Sequence, residues 1–155
     1  MLRADYVETF EIGNGALRSS ILFQFSNTNQ YLYNINYDDQ LTGRTAFDFI
    51  VAEQPDYFAP NIDTFSFGDV LVGLSIGTDS DAGFGTPPDY LDYWHYWTKD
   101  DHAAAWDASM IGFSDRALTD GSWDGWVFNS NDAPIPAPAG IAILAGLFRA
   151  RQRRS

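Results

Sequence analysis

The alternation of apolar and polar residues predicts two strands near the amino terminus. Ile21, Phe23 and Phe25 fall on one face of an extended segment that follows a hairpin-type turn signal at Asn14-Gly15. After Asn27-Thr28-Asn29, apolar residues alternate with asparagines: Tyr31, Tyr33, Ile35 and Tyr37. We expect these two strands to pair as an antiparallel hairpin with one face on the core.

The period then changes to that of a helix. Apolar residues with i, i+3, i+4 spacing are Phe47, Ile50 and Val51. Thr45 with Asp48 three residues later resembles a capping box, and Thr42 is the competing N-cap. Pro55 supplies the stop. The pattern therefore predicts one helix of about ten residues.

Strand signals resume after this helix and complete the order of elements. They cover residues 70–76, 90–98, 110–113 and 123–128. The order strand, strand, helix, strands predicts an α+β fold, a small β-grasp-like antiparallel or mixed sheet with one helix. The alternative is an all-β sandwich with one short helix.

Charge and composition divide the chain into three parts. An aromatic, acidic globular body spans 1–131, a Pro/Ala linker with a recognition motif spans 132–138, and an apolar helix with an arginine-rich end spans 139–155. The net charge is −12, but the chain up to residue 133 has five basic residues against all 21 acidic ones, a formal charge of −16. Such a body repels phosphate backbones, so we expect no nucleic-acid partner.

The carboxyl-terminal segment has the most specific pattern. Pro136-Ala137-Pro138 precedes ten apolar residues: Ala139, Gly140, Ile141, Ala142, Ile143, Leu144, Ala145, Gly146, Leu147 and Phe148. Four arginines follow: Arg149, Arg151, Arg153 and Arg154. The apolar run predicts a helix that enters the membrane, and arginines beyond it are typical of the cytoplasmic side.

This segment resembles the sorting signal of exported bacterial proteins of the PEP-CTERM class, although Ala137 stands where that motif has glutamate. The resemblance implies an exosortase-type processing enzyme as a partner, transient anchoring by the apolar helix, and delivery to the cell surface or extracellular matrix. Residues 1–10 contain Asp5 and Glu8 and no apolar run, so they do not read as a signal peptide. We expect an upstream in-frame segment to encode one.

Aromatic residues cluster late in the body. All five tryptophans fall within 33 consecutive residues, and alternation sends Trp94 and Tyr96 to one face of a strand and Tyr93 and Trp97 to the other. Exposed aromatic rings suit sugar rings, so the candidate ligand-binding aromatics are Trp94, Trp97, Trp123 and Trp126. The alternative is cross-strand packing inside a small sheet.

The same region resembles the carboxyl-terminal domain of transcobalamin-like proteins. The resemblance lies in 93–97, the acidic turn Asp100-Asp101, Gly112 and the closing stretch 120–128. It covers about residues 44–128 and implies a β-grasp-like fold. It does not imply cobalamin binding, which in that family also needs a separate helical domain.

Signals for metals, cofactors and catalysis are weak. Asp79 and Asp81, with Gly83 after them, alternate as calcium ligands do, but no glutamate follows at EF-hand spacing. The chain has no cysteine, two histidines and no nucleophile or phosphate-loop motif, so we expect no catalytic residue and no cofactor.

The sequence thus predicts an exported surface protein whose body is a non-catalytic binding or matrix module, with polysaccharide as a candidate ligand. The alternatives are a purely structural surface protein and a glycan-active enzyme that uses an Asp pair.

Overall fold

The part of the chain that the structure describes, residues 7–136 of a computed structural model, consists mostly of β-strands and contains one short helix. In chain order the elements are β1 (Val7–Gly13), β2 (Leu17–Gln24), β3 (Gln30–Tyr37), α1 (Gly43–Glu53), β4 (Phe58–Phe65), β5 (Gly68–Ile76), β6 (Asp79–Ala82), β7 (Trp94–Lys99), β8 (Asp107–Ala108) and β9 (Trp123–Phe128). A sheet-rich fold with one helix is therefore confirmed. The apolar helix predicted for 139–148 lies outside the described residues. Among residues 7–136, no helix has the length and apolar character needed to cross a bilayer.

The first reversal of the chain joins two strands that do not pair. β3 lies between β1 and β2, parallel to β1 and antiparallel to β2. The connection at Asn14–Ala16 therefore crosses the end of β3. A Cβ on Gly15 would lie 2.2 Å from the carbonyl carbon of Tyr37, so this crossing requires glycine.

The hairpin of β2 and β3 lies near the middle of a six-stranded sheet. Its register places Ile21 opposite Tyr33, which confirms the predicted antiparallel pair. β9 lies beside β2 in parallel, with Phe23 opposite Trp126, and β7 pairs antiparallel with β9. The order across this mixed sheet is β1-β3-β2-β9-β7-β8.

Helix α1 begins at Gly43, and its N-cap is Thr42, the competing candidate. Thr42 Oγ1 accepts a hydrogen bond from the Thr45 N–H at 3.0 Å, and Thr45 Oγ1 accepts one from the Thr42 N–H at 2.9 Å. Both otherwise unpaired donors are thus satisfied. Asp48 forms an ion pair with Arg44 at 3.0 Å instead of completing the box. The helix ends at Glu53, before Pro55 as predicted.

A second sheet and the helix contribute to one core with the large sheet. β4, β5 and β6 form a three-stranded antiparallel sheet with an irregularity at Asn61/Ile62. Phe58 of this sheet contacts Phe23 and Tyr33 of the large sheet and Phe47 of α1, with ring centroids 5.4–5.7 Å apart. All four rings are fully buried, so aromatic packing joins the three layers.

Two strand predictions were wrong in extent or kind. The strand predicted over 90–98 begins only at Trp94. Residues 110–113 form a loop and not a strand, because Phe113 caps the helix: its carbonyl accepts the Arg44 N–H at 2.9 Å and its ring is buried, while Met110 points out and is 95% exposed. Strands β4, β6 and β8 were not predicted.

Candidate functional site

The structure divides the four candidate tryptophans between the two faces of the large sheet. Trp94 and Trp126 face the core and are each 4% exposed, so neither forms a surface platform. Trp97 and Trp123 lie on the opposite face and are half-buried. The alternation along β7 thus separates Trp94 and Tyr96 from Trp97, as predicted.

Trp123 belongs to a small cluster on this outer face. The Lys99 ammonium lies 4.6 Å from the ring centroid of Trp106 and 4.9 Å from that of Trp123. The two indoles meet edge to face at 6.3 Å, and the His102 ring meets Trp123 at 5.4 Å. Burial lowers the pKa of Lys99, because the ammonium loses part of its hydration there. These cation–π and edge contacts already engage the Trp123 ring within the protein.

A cleft of about 600 Å³ lies between β7 and the β4–β5 hairpin, and we name it the aromatic cleft. One wall is formed by Phe67, Val70, Leu71 and Phe84, and the other by residues 93–97 with Ala108, Ser109 and Asn131. This size and this mostly aromatic lining with a few polar groups are typical of small-molecule sites. Of the candidate tryptophans, Trp94 and Trp97 contribute atoms to the lining of the cleft from opposite faces of β7, and Trp123 and Trp126 do not line it.

Three phenylalanines extend one wall of the aromatic cleft, and we call them the phenylalanine row: Phe65, Phe67 and Phe84. Phe65 stacks on Phe67 at 5.3 Å, with planes 2° apart, and on Phe84 at 5.7 Å, with planes 21° apart. Phe67 is 74% exposed and Phe84 is 62% exposed. A contiguous aromatic surface of this kind in water marks an interaction site more often than a single exposed ring does.

Tyr93 and His95 form a second stacked pair, on the opposite wall. Their ring centroids are 3.7 Å apart, with planes 19° apart, and His95 Nε2 lies 3.0 Å from the Leu91 carbonyl oxygen. Burial lowers the pKa of His95, which favours the neutral imidazole. Of this pair, the Tyr93 ring is exposed to solvent and the His95 ring lies buried against it.

A buried ionic group holds Tyr96 in the wall of the cleft. The Tyr96 hydroxyl donates to Asp124 Oδ2 at 2.5 Å, and Arg116 Nε donates to Asp124 Oδ1 at 3.3 Å. The Tyr96 ring stacks on Trp126 at 4.2 Å. Burial raises the pKa of Asp124 despite these two donors, and burial with the neighbouring carboxylate raises the pKa of Tyr96. This group fixes the Tyr96 ring and offers no free acid or base.

The two calcium candidates hold a turn in place. Asp81 accepts bonds from the Ser26 N–H and hydroxyl, at 2.8 and 2.9 Å. Asp79 accepts from three side chains: Asn27 at 2.7 Å, Asn29 at 3.0 Å and Tyr31 at 2.5 Å. Because hydrogen-bond donors already point at both carboxylates, these side chains are poorly arranged to bind a cation. Within residues 7–136, no group of three or more His, Cys, Asp or Glu side chains is arranged to hold a metal.

The chain before the predicted sorting motif packs on the outer face of the sheet. Gln24 Oε1 accepts from the Ile135 N–H at 2.8 Å and from Gln30 Nε2 at 2.9 Å. Gln30 Nε2 also donates to the Ile135 carbonyl at 2.7 Å. Pro134 is buried and Pro136 is exposed, so residues assigned to the linker belong to the folded body. Ala137, Pro138, the apolar run and the four arginines lie outside the described residues.

The phenylalanine row was missed from the sequence. Phe65 ends β4, Phe67 lies in the β4–β5 turn just before Gly68, and Phe84 stands between two glycines. An apolar residue beside a turn glycine was the available signal, since such positions are seldom buried. The prediction instead chose tryptophans as candidate ligand-binding residues, because five of them cluster in the sequence.

No known protein family model matches this chain, and neither curated proteins nor solved structures gave a match.

Proposed function

We propose that the body is a non-catalytic binding module of the bacterial cell surface or extracellular matrix, and that the aromatic cleft with the phenylalanine row is its site for polysaccharide. The observation that carries the proposal is the exposure of Phe67 and Phe84, held in parallel by Phe65 beside a cleft. Flat apolar rings attract the C–H faces of sugars, and the lining residues Ser109 and Asn131 supply groups for hydroxyls.

Delivery belongs to the carboxyl-terminal segment. In this proposal Pro136, Ala137 and Pro138 form a PEP-CTERM-like motif for an exosortase-type enzyme, the apolar run 139–148 anchors the chain transiently, and the arginines stop translocation. The exposure of Pro136 supports access of an enzyme to the start of this motif.

A β-grasp-like architecture akin to the transcobalamin carboxyl-terminal domain is part of the same proposal. Its support is the arrangement of four strands around the helix. The hairpin β2–β3 is followed in the chain by α1 and later by the antiparallel pair β7–β9, in which β9 lies parallel to β2. In this interpretation β4, β5 and β6 are an insertion between the helix and β7.

A purely structural surface protein is the second candidate. It is favoured by Trp94 and Trp126, whose rings pack in the core and contribute to stability. That role needs no ligand at the phenylalanine row.

Affinity electrophoresis of the full chain through gels that contain soluble polysaccharides separates the two candidates. We expect at least one polysaccharide to retard the chain, and F67A with F84A to abolish the retardation. F49A is the matched control, because Phe49 is also exposed, at 42%, but lies on α1. Unchanged mobility in every gel would leave the structural role and overturn the binding role.

Delivery is tested in a bacterium that has an exosortase. We expect surface-released protein to have a lower mass than the full chain, and P136A with P138A to retain the full mass in the membrane fraction. The control substitution S155A, outside the proline motif, should leave processing unchanged. Identical processing of the proline variant would contradict the sorting role.

A further inference from the structure

The proposed site has a charge pattern that restricts its ligand. Among the described residues that line the aromatic cleft, none is Lys or Arg. Burial lowers the pKa of the lining histidine, His95, which favours its neutral form. Arg44 forms an ion pair with Asp69 of β5 at 3.2 Å and a second one with Asp48 at 3.0 Å, so its charge is already paired. The walls of the cleft therefore contain no unpaired cationic side chain that could bind an anion.

The charge of the body adds to this restriction. Up to residue 133 the chain has five basic residues against 21 acidic ones. The carboxylate of Asp81 accepts bonds next to this site, and its carbonyl accepts Trp94 Nε1 at 3.1 Å. Summed negative charge repels carboxylated or sulfated chains and leaves uncharged ones unaffected.

The dimensions favour more than one sugar unit. A volume of about 600 Å³ lies within the range that accommodates drug-sized ligands. Four rings in and beside the cleft are open to solvent: Phe65, Phe67, Phe84 and Tyr93. Phe65 stacks on both Phe67 and Phe84 and so holds these two rings apart as separate contact points for successive sugars.

Building on the proposed function, we infer that the ligand is an uncharged glycan chain, bound over several sugar units along the aromatic cleft and the phenylalanine row. Each ring contributes one flat apolar contact, and binding depends on how many contacts the chain spans. Acidic polysaccharides of the same backbone are rejected by the negative field of the body.

Matched polymer pairs test the charge requirement with the full chain. Hydroxyethylcellulose is compared with carboxymethylcellulose, and dextran with dextran sulfate, by affinity electrophoresis at low and at high salt. We expect the neutral member of at least one pair to retard the chain, and its anionic partner to retard it at least about tenfold more weakly at low salt, with the difference shrinking as salt screens the charges. Equal or stronger retardation by the anionic partner would overturn this inference while leaving the binding module intact. Retardation by neither member of either pair, nor by any polysaccharide of the wider panel, would overturn the proposed function itself.

Oligosaccharides cut from the retarding polymer test the length requirement by titration calorimetry. We expect affinity to rise at least about tenfold from the monosaccharide to the tetrasaccharide, and F67A to reduce tetrasaccharide binding but not the residual binding of the monosaccharide. The F49A control should match the unsubstituted chain. Equal affinity for both lengths would overturn the several-unit site. Dimerisation of the ligand-free chain that F67A abolishes would assign the phenylalanine row to self-association and overturn the inference as well.

Discussion

Pro134 lies directly over Gly125, with no space between them for a side chain. A Cβ on Gly125 would lie 2.9 Å from Pro134 Cγ and 2.9 Å from Cη2 of Trp106. Gly125 stands in β9, between β2 and β7, and Pro134 is buried. A glycine in this strand therefore lets the end of the body fold back over the outer face of the sheet.

Gly125→Ala should destabilise the fold because the added methyl group must displace Pro134 or Trp106. We expect a loss of about 1–3 kcal/mol in the free energy of unfolding, the usual cost of overpacking. Urea denaturation followed by tryptophan fluorescence measures it. Gly112→Ala is the matched control, since a Cβ there meets nothing within 4 Å and its effect should be small. Equal losses for both variants would contradict the close packing.

Gln24→Ala should release the chain that precedes the predicted sorting motif. Its Oε1 is the acceptor for the Ile135 N–H and for Gln30 Nε2, so its loss leaves two donors without that partner. Each lost bond of this kind costs about 1–3 kcal/mol where the group stays buried. Hydrogen exchange of the Ile135 amide should accelerate markedly, whereas substitution of the exposed Gln40 should leave it unchanged. Unaltered exchange at Ile135 in Q24A would contradict this anchoring role.

The local elements could be predicted from the sequence where one pattern dominates. The alternation of Tyr31, Tyr33 and Ile35 predicted β3 and its buried face, and the spacing of Phe47 and Ile50 predicted α1. In both cases the period of the element and the burial of its apolar face agree. Strand β4 escaped because Pro60 and Asn61 interrupt it, and edge strands tolerate such residues.

The relationships between elements could not be predicted in the same way. Nothing local to Asn14-Gly15 indicates that β3 will insert between the strands on either side of it, since that pairing joins β1 to residues 30–36. The burial of two of the candidate tryptophans could not be predicted for a similar reason. Tryptophans are numerous in that part of the sequence, but the second sheet and α1 cover Trp94 and Trp126. Phe67, which lies at a turn, is exposed to solvent.

Arg116→Met should be strongly destabilising because the buried Asp124 carboxylate loses its cationic partner and keeps the Tyr96 hydroxyl as a donor. Asp124 is 1% exposed, and removal of one partner from a buried pair costs about 3–5 kcal/mol. Arg18→Met is the control: its ion pair with Glu11 is surface-exposed, and we expect a loss below about 1 kcal/mol.

The loss in R116M should also depend on pH. Burial already holds the pKa of Asp124 above its usual value, so the stability it contributes is present at low pH and falls as pH rises. Removing the cation increases this shift. Urea midpoints of R116M relative to the unsubstituted protein should therefore fall further at pH 7 than at pH 4, and an equal deficit at both would show that Asp124 does not titrate as expected.

Asp79→Asn should have the opposite pH dependence. Burial acts to raise the pKa of Asp79, but hydrogen bonds from Tyr31, Asn29 and Asn27 outweigh it and hold the pKa below its ordinary value of 3.8. The carboxylate therefore contributes stability above about pH 4, and this contribution is lost as pH falls through the lowered pKa. We expect D79N to be less stable by about 1–2 kcal/mol at pH 6, a modest loss because the site is partly solvent-exposed. The difference should shrink at pH 3 and below, measured by urea denaturation at each pH. D39N, at an exposed loop carboxylate, is the matched control and should change stability at pH 6 by less than about 0.5 kcal/mol. A D79N deficit that grows with acid would mean that Asp79 is not the group that anchors the β2–β3 turn.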